Sequence, residues 1–122
     1  MNFKQYTEQL LQYTEDAPLR FQAMRDEDRE PDFFEEVKPY ADKAHADIKE
    51  WKQLAPQFIT TYEPKYFHLL QVEQVADAME QFVVQSFYKK TSKKRFMDSS
   101  RSIHYSLSKL KRYLEEDGLH AE

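Results

Sequence analysis

The sequence predicts an all-α protein, an up-and-down antiparallel four-helix bundle folded as a single domain. Three observations carry this expectation. Apolar residues recur at helical rather than alternating spacing through four stretches of the chain. The connections between the stretches are short, which favours antiparallel neighbours. Finally, the 122 residues include one glycine, too few for a sheet protein built on tight turns.

The first stretch spans about residues 2–25. Phe3, Tyr6, Leu10, Tyr13, Ala17, Phe21 and Met24 stay within about 80° of arc on a helical wheel. Pro18 interrupts the hydrogen-bond ladder, so a kink is expected there, or a break near Asp16 with that residue capping a second segment. The apolar stripe stays in phase across Pro18, which favours the kink. Asp26-Glu27-Asp28-Arg29-Glu30-Pro31 is a solvated connection, and Asp32 caps the next helix, with Glu35 at the capping-box position.

The second stretch covers about residues 33–62. Val37, Ala41, Ala44, Ile48, Trp51, Ala55, Phe58 or Ile59, and Tyr62 hold its phase. Pro39 falls in the first turn of its main helix, after a short turn carrying Phe33 and Phe34, and Pro56 is expected to bend its last part. Glu63-Pro64-Lys65 ends it, because a residue before proline is pushed out of the helical region.

The third stretch, about 68–89, buries Val72, Val75, Ala76, Met79, Phe82, Val83 and Ser86, flanked by Phe87. Lys90, Thr91 and Ser92 turn the chain into the fourth stretch, about 93–117. There Phe96, Ser100, Ile103, Leu107, Leu110 and Leu114 lie within about 40° of a single line at ~100° per residue. Ser92 is its expected N-cap, and Gly118, the only glycine, stands where a helix needs a left-handed residue.

Composition excludes several functions. The absence of cysteine removes disulfides, thiolate metal sites and a cysteine nucleophile, and fits a reducing compartment. A single glycine excludes a glycine-rich phosphate loop. No run approaches the ~18 apolar residues of a membrane span, and the N-terminal segment lacks the apolar centre of a signal peptide, so a cytoplasmic protein is expected. The net charge of −4 is unevenly spread. Residues 1–64 hold 8 Lys/Arg against 14 Asp/Glu (−6), and residues 65–122 hold 10 against 8 (+2). Such asymmetry can guide self-association or the encounter with a partner.

An ordered set of short strings resembles the YppE-like family, small uncharacterised helical proteins of Gram-positive bacteria. The strings are Asp32-Phe33-Phe34-Glu35 leading to Lys38-Pro39, then Pro64-Lys65-Tyr66, Gln85-Ser86, Lys93-Lys94-Arg95-Phe96, and Tyr105 with Leu107. The resemblance implies a four-helix bundle. It implies no activity and transfers no functional residues.

A metal centre in a bundle would use carboxylate–histidine pairs at i and i+3. Asp42–His45 is the one such pair on a main helix, with no second to complete a site, and His120 lies in the tail. A site assembled from His45, His68 and His104 stays open, but all three lie off their stripe centres, so no metal and no other cofactor is expected. No nucleophile elbow is present. Ser86 and Ser100 fall on apolar stripes, where a small hydroxyl lets helices approach while bonding back to its own backbone. The chain is therefore expected not to be an enzyme; a metal-dependent bundle enzyme is the third choice.

The basic residues point further. Lys89, Lys90, Lys93, Lys94 and Arg95 cluster within seven residues, and Lys94, Arg101, Tyr105, Lys109 and Arg112 align along the back of the fourth helix with Asp98 the only acid among them. A basic stripe with an aromatic suits an acidic partner protein, or phosphate contact with base stacking. The outer face of an ordinary bundle helix looks much the same. Overall negative charge weighs against nucleic acid, which stays open as the alternative, as does a homodimer. Leu70, Val84, Tyr88 and Tyr66 project away from the third stripe, and Val84 with Tyr88, at i and i+4, forms a candidate edge for docking. The expected function is a non-enzymatic protein-interaction or adaptor module using the basic face.

Overall fold

The computed structural model of the chain describes residues 1–65 and 67–116. Tyr66, Asp117, Gly118 and His120 lie outside the described residues, and with them the expected C-terminal glycine cap. Helix α1 runs Phe3–Asp26, a π-helical turn spans Phe33–Val37, and α2 (Lys38–Tyr62), α3 (Leu69–Gln85) and α4 (Lys93–Glu116) come after it. Each helix packs on its neighbours in sequence, α4 closes on α1, and α1 touches α3 across the diagonal. Phe3 meets Phe58 while Tyr13 meets Asp47, and Phe21 meets Phe96 while Glu8 meets Lys111, so α2 and α4 each run antiparallel to α1. This is the up-and-down four-helix bundle of the sequence expectation.

The termini explain where each helix begins and stops. Asn2 caps α1, its side chain accepting from the Gln5 N–H at 2.8 Å while Gln5 Oε1 accepts from the Asn2 N–H at 2.9 Å. Pro18 sits inside an unbroken helix, and Asp16, rather than capping a second segment, accepts a hydrogen bond from Gln12 Nε2. At its C-terminus the Arg29 N–H reaches back to the Met24 carbonyl across Asp28, whose φ is 51°. That closure normally uses glycine. Likewise Glu63 ends α2 with φ 45° and ψ 55°, left-handed rather than extended before Pro64. With glycine nearly absent, an aspartate and a glutamate take the left-handed positions. Pro39 stands in the first turn of α2 as expected, and α2 continues through Pro56.

One correction concerns the turn ahead of α2. Asp32 caps it through a hydrogen bond from the Glu35 N–H, but Glu36, not Glu35, closes the box by accepting from the Asp32 N–H at 2.8 Å. The π-turn holds one more residue than an α-turn, so the side chain that folds back is displaced by one.

The apolar stripes meet in one core. All six predicted α4 positions are buried, as are Val72, Val75, Ala76, Met79, Phe82 and Val83 of α3. Phe96 stacks between Phe21 of α1 (4.2 Å between centroids) and Phe82 of α3 (4.8 Å). Toward the other end, Phe3 stacks on Trp51 and Phe58, and Trp51 Nε1 donates to the hydroxyl of Thr7 at 2.9 Å. Thr7, in turn, donates to the Phe3 carbonyl, so the buried indole is satisfied by a residue that reads as polar in the sequence.

Candidate interaction surface

Because the six apolar positions of α4 face the core, its opposite side faces solvent. Ser92 starts the helix: its Oγ accepts from the Arg95 N–H at 3.4 Å and its carbonyl from the Phe96 N–H. Lys94, Arg101, Tyr105, Lys109 and Arg112 are all exposed along the outer face, with Tyr105 67% accessible. The row is not purely basic. Asp98 accepts from Arg101 Nη2 at 2.7 Å and from Lys94 Nζ at 3.3 Å. Those two bonds, Arg101's foremost, hold its carboxyl below the usual aspartate range. Four cations against one acid still leave the face positive.

The five-residue basic cluster is divided by the fold. Lys89 bonds the Asp28 carboxylate at 2.6 Å and lies 3.4 Å from Glu30, joining the α3–α4 turn to the α1–α2 connection. Its bond to Asp28 raises its pKa. Arg25 Nη1 donates to the Lys89 carbonyl beside it. Lys90, Lys93, Lys94 and Arg95 remain exposed.

The Val84/Tyr88 edge does not form as expected. Helix α3 stops at Gln85, four residues short of the predicted end, so Tyr88 lies in a turn where its N–H donates to the Gln85 carbonyl. The i, i+4 relation therefore does not apply, and both side chains are half-buried. The residue after the stop is held by side chains. Ser86 turns its hydroxyl back to the Val83 carbonyl (2.6 Å) and accepts from Arg20 Nε (2.9 Å). The Arg20 guanidinium lies 4.1 Å from the Tyr40 ring and 4.4 Å from that of Phe87, which is buried rather than flanking. Leu70 is exposed on the first turn of α3, as expected.

His45, His68 and His104 do not converge on a site. His45 Nε2 lies 3.3 Å from the Glu80 carbonyl oxygen, the His68 N–H donates to Gln71 Oε1, and His104 stands beside Ser108. Among the described residues no three His, Cys, Asp or Glu side chains are grouped to hold a metal ion. No helix among the described residues is long and apolar enough to cross a membrane.

Sequence reasoning passed over one surface feature. Phe33 and Phe34 are 50% and 75% exposed, their rings edge to face at 5.2 Å. The turn presenting them is tightly tethered: besides the Asp32 cap, Glu36 takes a two-pronged bond from Arg29 at 2.6 and 3.0 Å. Arg29, and next the Asp32 N–H, lower the Glu36 pKa to about 2. The signal was present, since adjacent residues on a helix point ~100° apart and two neighbouring aromatics cannot share one narrow apolar stripe.

The geometry thus defines a class: a small antiparallel four-helix bundle whose distinguishing surfaces are a cationic helix face and a capped aromatic turn. The chain belongs to the bacterial domain of unknown function family DUF1798, whose pattern it matches over residues 7–114. It is 33% identical over 105 residues to the uncharacterized protein YppE of Bacillus subtilis, covering 86% of this chain and 85% of that one. Two crystal structures show the same fold. That of Bacillus subtilis yppE aligns with a TM-score of 0.88 at 30% identity, covering 95% of this chain and 94% of the other. That of a Listeria innocua protein of unknown function aligns at 0.89 and 28% identity, covering 97% and 94%.

Proposed function

We propose that this chain is a non-enzymatic cytoplasmic interaction module whose α4 outer face docks an acidic partner protein. One observation carries the reading: Tyr105 stands exposed in the middle of a row of exposed cations, on a helix whose opposite side supplies the core. Charges in this arrangement steer encounter and set orientation. A central aromatic on a rigid helix supplies the anchoring contact at small entropic cost. The net charge of −4 disfavours nucleic acid, since the rest of the molecule repels phosphate.

The test is affinity capture from cell lysate, with and without nuclease, using the wild type and Lys94→Glu/Arg101→Glu. A specific protein retained after nuclease treatment and lost with the double variant is the expected result. Recovery of nucleic acid alone, or of proteins that vanish with nuclease, would replace this reading with phosphate binding through the same face. Retention undiminished by charge reversal would refute both.

A further inference from the structure

We infer that the cleft between the end of α1 and the α3–α4 turn binds the phosphate groups of a small soluble ligand, through Arg25, Lys90 and Lys93. This site is separate from the outer face of α4 and goes beyond the docking reading.

Three observations carry it. First, the cleft encloses about 510 Å³, within the ~300–1,000 Å³ of small-molecule sites. Every residue lining it is charged or carries an amide. A ligand there must bring charge rather than apolar surface.

Second, the acids of the cleft are already engaged while most of its cations are not. Asp28 is bonded to Lys89 at 2.6 Å, and Asp26 accepts from Gln22 Nε2 at 2.8 Å. Arg25 gives one donor, Nη1, to the neutral Lys89 carbonyl, and the side chains of Lys90 and Lys93 bond no partner among the described residues. Three positive groups therefore share one cleft, none of them paired with a carboxylate among the described residues. Like charges so placed repel one another until an anion enters. Even with Glu30 counted, the cations of the cleft outnumber its acids by four to three, in a chain of net charge −4.

Third, the walls are fixed to each other. Lys89 Nζ bonds both the carboxylate and the carbonyl of Asp28, at 2.6 and 3.2 Å, and lies 3.4 Å from Glu30. The Arg25 guanidinium lies 5.5 Å from the centre of the Phe21 ring while it bonds the opposite wall. Arg25 is thus joined to the turn that carries Lys90 before a ligand arrives, and little ordering is left for binding to impose.

The set of donors selects phosphate. A guanidinium offers directional paired bonds to phosphate oxygens, and ammonium groups act beside it as point charges. Three cations exceed what one carboxylate can balance and match the roughly −1.5 to −2 charge carried by each phosphate group.

Isothermal titration calorimetry and amide-resolved NMR on the full chain test the inference, with sodium pyrophosphate as the probe and sodium sulfate at equal ionic strength as the reference. Pyrophosphate should bind saturably and more tightly than sulfate, less tightly as salt is raised, with amide shifts confined to the end of α1 and residues 89–93. Lys90→Glu/Lys93→Glu alters two exposed side chains and should weaken binding at least about tenfold. Lys94→Glu/Arg101→Glu should bind pyrophosphate like the wild type, which keeps this test apart from that of the docking face. Absence of saturation, equal affinity for sulfate, or binding undiminished in the Lys90/Lys93 variant would each overturn the inference. Sedimentation with vesicles containing phosphatidic acid, without binding of free pyrophosphate, would assign the cleft to a lipid headgroup and overturn the soluble ligand.

Discussion

Replacing Thr7 by valine preserves shape and removes one hydroxyl, and it should cost far more than a surface threonine would. Both Thr7 and Trp51 are wholly buried. The Thr7 hydroxyl accepts from Trp51 Nε1 at 2.9 Å and donates to the Phe3 carbonyl at 2.9 Å. Valine leaves the indole N–H buried without an acceptor, a loss of about 1–3 kcal/mol. The Phe3 carbonyl still has its helical N–H partner. Trp51→Phe keeps an aromatic ring but leaves unfilled space, at about 2 kcal/mol. In the double variant the unpaired donor no longer exists. Its cost should fall below the sum of the two single costs by about 1–2 kcal/mol. At ~2.1 cal/mol/K per residue, a 122-residue chain unfolds with an entropy of roughly 0.26 kcal/mol/K, so 2 kcal/mol lowers Tm by about 8 °C. The assay is urea unfolding followed by far-ultraviolet circular dichroism, since Trp51 is the only tryptophan and its fluorescence vanishes in two of the variants. A shifted midpoint at constant m isolates the native-state effect. Additivity within about 0.5 kcal/mol would refute the hydrogen-bond account.

Three further predictions rest on other parts of the fold. Phe96→Ala should cost about 3–5 kcal/mol and Phe96→Leu about 1–3 kcal/mol, because leucine keeps most of the burial but loses the rings of Phe21 and Phe82 as stacking partners. A melting temperature for Phe96→Leu equal to that of the wild type would show that stacking contributes nothing. The Glu36 pKa is lowered from 4.5 to about 2 in the folded chain, so its contribution is complete above about pH 4.5 and is lost as pH falls from there through about 2. The urea midpoints of wild type and Glu36→Gln should therefore differ most above pH 4.5 and converge toward pH 2; a pH-independent gap would contradict the Arg29 pairing. Glu63→Gly should stabilise the protein by about 0.5–1 kcal/mol, since relief of a left-handed backbone (about 1–2 kcal/mol) exceeds the added unfolded-state entropy. A lower melting temperature for that variant would mean the Glu63 side chain contributes more than its backbone loses.

How much was legible depends on where each determinant sits along the chain. The α4 seam from Phe96 to Leu114 was fully readable, because periodicity and cap both lie within one helix. The end of α3 was not: the pattern continues through Ser86 and Phe87, and the Arg20 that bonds Ser86 lies 66 residues away. The exposed basic face was readable as the complement of the α4 seam. The diversion of Lys89 was not, because Asp28 is 61 residues away. The aromatic turn fell between these cases, since Phe33 and Phe34 stood out as adjacent aromatics while the tether from Arg29 to Glu36 depends on a π-turn that no repeat in the sequence announces.

The sequence by itself determined the helices, the side each one buries and the antiparallel order, because these depend on spacing within a stretch and on short connections between stretches. Tertiary structure decided which charges remain available, which aromatics stay exposed and where α3 stops. Those outcomes depend on which distant side chain arrives within a few ångströms, and only the packed bundle sets those distances.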